Sequence, residues 1–232
     1  MIDTFAPYQN VRLTIPLSII KKEAQHLWDN GYYVEHRGNW SKGWFAFTLF
    51  GEGPYITLGG DWGDKSKYHW TKIAKKQCPQ TVEWIQELPI EEIYRVRFMF
   101  MAPGGYIKIH HDKEPHEKIG ETIVNDAMNI AITNSDCTMY QVYKNHYNIV
   151  PFNDGDAFFF NNRYFHFVDN PVSSNLRIHM IIHAKWNSVL AEPCKLNLLN
   201  KSFLDHDEKF YVDKEKLNEK IEAYSPDLSR YC

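Results

Sequence analysis

The stretch Tyr94-Arg95-Val96-Arg97-Phe98-Met99-Phe100-Met101, then Pro103-Gly104-Gly105, then Tyr106-Ile107-Lys108-Ile109-His110-His111, decides the fold. It is rich in β-branched and aromatic residues and broken by a turn signal, so it reads as two strands joined by a turn. Working outward, Met128–Thr133, Thr138–Tyr143, Ala157–Phe160, Phe165–Val168 and Leu176–Lys185 have the same character, with Asn153-Asp154-Gly155 among the turn signals between them. Short strands at this spacing predict a mainly β chain with flanking helices, folded as a double-sheet β-barrel or jelly roll. Upstream, Ile19, Ile20, Leu27 and Trp28 predict a helix over Ile15–Gly31. Tyr32–Val34 and Trp44–Leu49 read as strands, Gly51-Glu52-Gly53-Pro54 as a turn, and Tyr68–Gln77 and Thr81–Leu88 as helices. Downstream, Asp213–Tyr224 reads as a charged surface helix. The organisation expected is a single domain over 1–232. Residues 1–92 supply helices and strands packing on the barrel, 93–187 the core, and 188–232 a C-terminal helical extension.

Composition bounds the function. The chain has 232 residues, 44% hydrophobic and 24% charged, which is a globular balance. Aromatics reach 15%, enough for a large core and for pocket walls. The formal net charge of −3 offers no basic excess for a phosphate backbone, so no nucleic-acid partner is expected. Cys78, Cys137, Cys194 and Cys232 form no CxxC pair, which argues against a structural zinc site. With 11 His and 4 Cys, imidazole and carboxylate are the expected metal donors. Met1–Asn10 lacks a basic region followed by an apolar stretch, and no apolar run is long enough to cross a membrane. A reduced, cytoplasmic setting without membrane attachment is the expectation.

In an extended segment, residues i and i+2 share a face. His110 and Asp112 then point the same way and can chelate one divalent ion, while His111 points away unless a bulge shifts the strand by one residue. His166 lies in a second aromatic strand after a polar loop, and Arg177 follows eleven residues later between apolar neighbours. Two imidazoles and one carboxylate form the facial triad of non-haem Fe(II) oxygenases, leaving three adjacent positions open. A 2-oxo acid and dioxygen fit those positions. The far carboxylate of 2-oxoglutarate needs a cation some distance from the metal, which Arg177 can supply through a bidentate pair.

Residues Arg95 to Trp186 resemble the aspartyl/asparaginyl β-hydroxylase group of Fe(II)/2-oxoglutarate oxygenases. The segments that carry the resemblance are Arg97 to Gly105, His110-His111-Asp112, Asn129 to Asn134, Asp154 to Phe158, His166 to Asn170 and Arg177 to Met180. The resemblance implies a double-stranded β-helix (jelly roll, cupin-like), iron at His110, Asp112 and His166, and 2-oxoglutarate at Arg177. Some members have Gly in place of the carboxylate; this chain has Asp112, so a full triad is expected. The family often has His where Asn129 stands, and Asn129 is the second residue carried over to the 2-oxoglutarate site. Some members have Ser where Met99 stands, a contact that a thioether does not replace in kind.

The expected activity is hydroxylation of a C–H bond in a soluble substrate: a free amino acid, a peptide, or a protein Asp/Asn-like residue. Fe(II), 2-oxoglutarate and O₂ are the cofactor and co-substrates. The aromatic segment from Trp40 to Trp62 reads as core flanking the barrel or as wall of a substrate pocket, and Lys113–Met128 as a lid, a substrate-recognition loop or a disordered insert. Two rival readings stand beside this one. One is a cupin-like metal enzyme without 2-oxoglutarate, with His146, His179 and His183 as further ligands. The other is a jelly-roll carbohydrate-binding module. The sequence does not choose an oligomeric state.

Overall fold

The computed structural model describes residues 8–37, 41–56, 65–110, 127–134, 136–143, 146–150, 152–160, 165–186 and 197–199. The predicted helix over Asp213–Tyr224 lies outside them, as does the expected lid apart from Ala127 and Met128. In chain order the elements begin with β1 (Tyr8–Arg12), α1 (Leu17–Asp29), β2 (Val34–Glu35) and β3 (Ser41–Gly51). A 3-10 turn at Lys65–Lys67, β4 (His69–Trp70), α2 (Lys72–Gln77) and α3 (Pro79–Gln86) follow. The remaining strands are β5 (Ile90–His110), β6 (Ala127–Thr133), β7 (Thr138–Tyr143), β8 (His146–Ile149), β9 (Ala157–Phe160), β10 (His166–Asp169), β11 (Arg177–Trp186) and β12 (Asn197–Leu199).

The fold is a mainly antiparallel jelly roll in which β5 takes part in both sheets. Strands run in the order β12-β1-β9-β6-β11-β5-β10-β7-β8, with β3 also paired to β5 and carrying β2 and β4. The first half of β5 pairs with β11 up to Arg177↔Met101. Its last residues pair with β10, His166↔His110 and Asp169↔Tyr106.

Pro103-Gly104-Gly105 is therefore not the chain reversal its composition suggests. It is a bulge inside one 21-residue strand. While β3 advances from Lys42 to Trp44, β5 advances from Tyr106 to Met101. The extra residues bend β5 from one sheet into the other. Gly104 sits at φ 73°, where other residues are strained. A Cβ on Gly105 would lie 2.8 Å from the Ala102 carbonyl oxygen and 2.8 Å from Met101 Cγ. The bulge interrupts the ladder, and Asn170 fills in for it. Its Nδ2 donates to the Met101 and Ala102 carbonyls at 3.1 and 3.0 Å, and its backbone N–H donates to the Gly105 carbonyl at 2.9 Å.

The helices pack on one face of β5, β6 and β11. Ile20, Ala24 and Leu27 of α1 join Val82 and Ile85 of α3 against Phe98, Phe100, Ile130, Ile178 and Met180. Buried Glu23 of α1 accepts from the backbone N–H groups of Gln80 and Thr81 at 3.1 and 2.9 Å. Its carboxylate serves the open N–H groups at the start of α3, which has no side-chain cap of its own. The predicted helix Tyr68–Gln77 begins only at Lys72, because His69 and Trp70 pair with Gly51 and Phe50 instead. Thr71 ends that strand and caps the helix, accepting from the Ala74 N–H at 3.1 Å. α3 starts at Pro79, ahead of the expected Thr81.

Cys78 and Cys137 are buried free thiols in two different clusters, and burial pushes both thiols' pKa up. No helix among the described residues is long and apolar enough to cross a membrane.

Candidate metal and co-substrate site

The other face of the same strands lines a cavity. On β11, Arg177, His179, Ile181 and His183 alternate inward, while Ile178, Met180 and Ile182 point to the helices. On β5, Arg95, Arg97 and Met99 line the cavity, while Val96, Phe98 and Phe100 join the helix-side core. The two-residue period of a strand thus separates chemistry from packing.

His110 and His166 meet across the β5–β10 ladder. Their ring centroids lie 4.3 Å apart, both are buried, and both line the cavity. His110 Nδ1 is 2.8 Å from the Lys108 carbonyl oxygen. A carbonyl only accepts, so Nδ1 carries the proton and the lone pair of the neutral ring is on Nε2. A ring fixed in this way by a backbone carbonyl is the usual arrangement of a metal-binding imidazole. Asp112 and His111 lie outside the described residues. Among the described residues no group of three His, Cys, Asp or Glu side chains converges to hold a metal.

Arg177 and His179 form a couple on β11. Arg177 is 4% exposed, and its Nη2 donates to His179 Nδ1 at 2.7 Å. Because the guanidinium can only donate, His179 holds its proton on Nε2. That Nε2–H is buried without a hydrogen-bond partner among the described residues. Burial, and then the charge of Arg177, hold the His179 pKa well below the ordinary imidazole value, so the ring stays neutral. Phe152 supports both groups: its ring lies 5.8 Å from the Arg177 guanidinium carbon and stacks with the His179 ring at 6.1 Å. Asn129 lines the same cavity from β6 and donates to the Ala127 carbonyl at 2.9 Å.

The structure thus brings His110, His166, Arg177 and Asn129 to one cavity, with His179 and His183 beside them. His146 opens β8, the last strand in the sheet order. Trp44 lines the cavity, whereas Phe47 belongs to the helix-side core, so the aromatic segment serves both purposes. His36 and Arg37 also line it, a contribution that short-range sequence patterns do not reveal. Arg95 and Arg97 stand in the stretch that decides the fold. Their spacing with Met99 was the available signal that they share its face.

The aspartyl/asparaginyl β-hydroxylase family profile matches residues 16–186, well over half of the chain. The chain belongs to this family. The match reaches beyond the Arg95–Trp186 resemblance and takes in α1 and the strands and helices between it and β5. A member of the aspartyl/asparaginyl β-hydroxylase family is an oxidoreductase, an Fe(II)/2-oxoglutarate-dependent hydroxylase. This sets aside the carbohydrate-binding reading. No curated protein matches the sequence.

Solved structures similar to this hydroxylase include a Pseudomonas putida prolyl-4-hydroxylase, 11% identical with a TM-score of 0.47, over 78% of this chain and 94% of that one. A Trichoplax adhaerens prolyl hydroxylase in complex with a hypoxia inducible factor peptide fragment is 11% identical with a TM-score of 0.45, over 78% and 84%. HygX from Streptomyces hygroscopicus, with nickel, 2-oxoglutarate and hygromycin B bound, is 7% identical with a TM-score of 0.45, over 76% and 82%.

Proposed function

We propose that His110, Asp112 and His166 hold iron(II), that Arg177 with His179 holds the far carboxylate of 2-oxoglutarate, and that the enzyme hydroxylates a C–H bond of a soluble small molecule or peptide. The observation that carries this reading is the His110–His166 pair facing the same cavity as the Arg177–His179 couple.

Each residue has a chemical task. The Lys108 carbonyl keeps the lone pair of His110 on Nε2 and holds the ring in orientation. Asp112, two residues on, supplies the hard oxygen donor that complements two imidazoles. Arg177 supplies a fixed cation, and the unpartnered Nε2–H of neutral His179 supplies a second donor beside it. Asn129 adds an amide at the cavity wall. Met99, Met139, Ile107 and Val168 form apolar walls that limit water at the site. Iron(II) bound there supplies dioxygen activation coupled to oxidative decarboxylation of 2-oxoglutarate, the chemistry that hydroxylates an unactivated C–H bond.

Succinate release tests the reading, measured with Fe(II), ascorbate and a panel of free amino acids and peptides. Asp112→Ala abolishes 2-oxoglutarate turnover; unchanged turnover sinks the ligand assignment. Arg177→Gln removes hydrogen bonds to a charged group worth about 1.5–3 kcal/mol each, so the KM for 2-oxoglutarate rises at least tenfold, roughly. An unaltered KM removes Arg177 from the site.

A further inference from the structure

β5 changes partner along its length. Its first half pairs with β11, ending at Arg177↔Met101, and its last residues pair with β10, ending at His166↔His110. The Pro103-Gly104-Gly105 bulge is the crossing between the two. The link from β10 to β11 runs past the same point, since the Gly104 N–H donates to the Asn170 and Pro171 carbonyls at 2.9 and 3.3 Å. Along β5, Arg177 is paired ahead of this crossing and the His110–His166 pair follows it. Asn170 stands in the crossing and is fully buried.

The backbone and the side chain of Asn170 serve different halves of the site. Its backbone N–H donates to the Gly105 carbonyl at 2.9 Å, which continues the β5–β10 ladder that carries His110 and His166. Its side-chain Nδ2 donates to the carbonyls of Met101 at 3.1 Å, Ala102 at 3.0 Å and Asn175 at 3.2 Å. Met101 is in register with Arg177, and Asn175 precedes Arg177 by two residues. Ser174 Oγ donates to Asn170 Oδ1 at 2.7 Å, so both ends of the amide are held. A buried amide with every polar atom engaged is stiff, because breaking any of its bonds leaves a polar group unsatisfied in a low-dielectric interior. The amide thus ties the strand pair bearing the two histidines to the strand bearing Arg177. The co-substrate makes that tie matter. 2-Oxoglutarate has a contour of at most about 6 Å and must reach both ends at once. A misplacement of about 1 Å between groups that act together can cost about 100-fold.

We infer that Asn170, held by Ser174, is a positioning residue that sets the span between the His110–His166 pair and Arg177, and with it the chain length of the 2-oxo acid that the enzyme accepts. This rests on the proposed function for what binds at the two ends. Asn170 touches neither metal nor co-substrate; it acts through the strands it joins.

Binding measurements with a length series test it. The full chain is held with Fe(II) under nitrogen and titrated by calorimetry with oxaloacetate, 2-oxoglutarate and 2-oxoadipate, each one carbon longer than the last. Wild-type protein binds 2-oxoglutarate roughly tenfold or more tighter than either neighbour. Asn170→Ala keeps the backbone bonds to Gly104 and Gly105 and deletes the side-chain ties. Its Fe(II) Kd stays within about threefold of wild type, its 2-oxoglutarate Kd rises roughly tenfold or more, and its preference over 2-oxoadipate collapses. Ser174→Ala frees only one end of the amide, so it moves the same ratio in the same direction by a smaller factor. It decides the matter should Asn170→Ala fail to fold. A purely structural Asn170 gives another pattern: Fe(II) and all three acids weaken together, in step with the thermal midpoint, and the length preference holds. That pattern overturns the inference. So do variants that bind the series as wild type does, and a wild-type protein that does not discriminate by length. Wild-type protein that binds none of the three acids overturns the proposed function, and this inference with it.

Discussion

The two faces of β5 and β11 are both largely buried, yet they differ completely in chemistry. The helix side carries Val96, Phe98, Phe100, Ile178, Met180 and Ile182. The cavity side carries Arg95, Arg97, Met99, Arg177, His179 and His183. Burial alone therefore does not make a sheet face apolar. The helix side is closed by α1 and α3, whose buried polar side chains Glu23 and Thr81 hydrogen-bond each other. The cavity side faces the end of β5 and the start of β10, which bring His110 and His166. Buried guanidinium and imidazole groups cost stability unless they gain partners. On the cavity side the Arg177–His179 hydrogen bond, with the Phe152 ring beside both groups, is one such pairing.

The comparison breaks first at Phe98. Phe98→Ala deletes a fully buried ring from the helix side and should cost about 3–5 kcal/mol in urea unfolding. A loss below about 1 kcal/mol would show that this face is not the packing face. The bulge that joins the two sheets is the next place to press. Gly105→Ala places a Cβ 2.8 Å from the Ala102 carbonyl oxygen, so the bend must shift, at a cost of about 1–3 kcal/mol. Since the same bend aims the last residues of β5, the variant should also weaken metal binding; undisturbed stability and metal affinity would separate the bulge from the site.

The smallest effect is one of pH. His179 stays neutral in the folded chain, whereas an unfolded imidazole takes up a proton below its ordinary value of 6.5. The unfolded state then binds more protons, so stability falls as pH drops below 6.5. The slope from this residue is at most about 1.4 kcal/mol per pH unit, the equivalent of one proton. His179→Gln should flatten the loss between about pH 6.5 and 5.5 by up to that amount, read from denaturant midpoints at each pH. An identical slope in the variant would mean that His179 is not the neutral partner of Arg177.

Much of this protein was legible locally. Thr138–Tyr143 and Ala157–Phe160 are strands with the expected bounds, and Ile15–Gly31 contains α1. Their signals lie within a few residues: β-branched runs, turn residues, and a helical apolar stripe. The misreadings share one cause. His69–Trp70 looks like the start of a helix until β3 offers it a ladder. Pro103-Gly104-Gly105 looks like a reversal until β3 pairs on both sides of it, with β11 before it and β10 after it. Tyr8–Arg12 has no strong pattern and becomes a strand because β9 and β12 flank it. In each case a long-range hydrogen-bond partner overrides the local preference.

The sequence by itself determined the inventory and its alternation. An i, i+2 spacing places Arg177 with His179, and Arg95 with Arg97, on common faces wherever the strands happen to lie, because successive side chains of a strand point to opposite sides. Only the tertiary structure decided which face became the cavity and what meets across it. His110 stands opposite His166 because the bulge at Gly104–Gly105 turns β5 out of one sheet and into register with β10. A register between segments so distant in the chain is set by the packing of whole sheets, which no local spacing encodes.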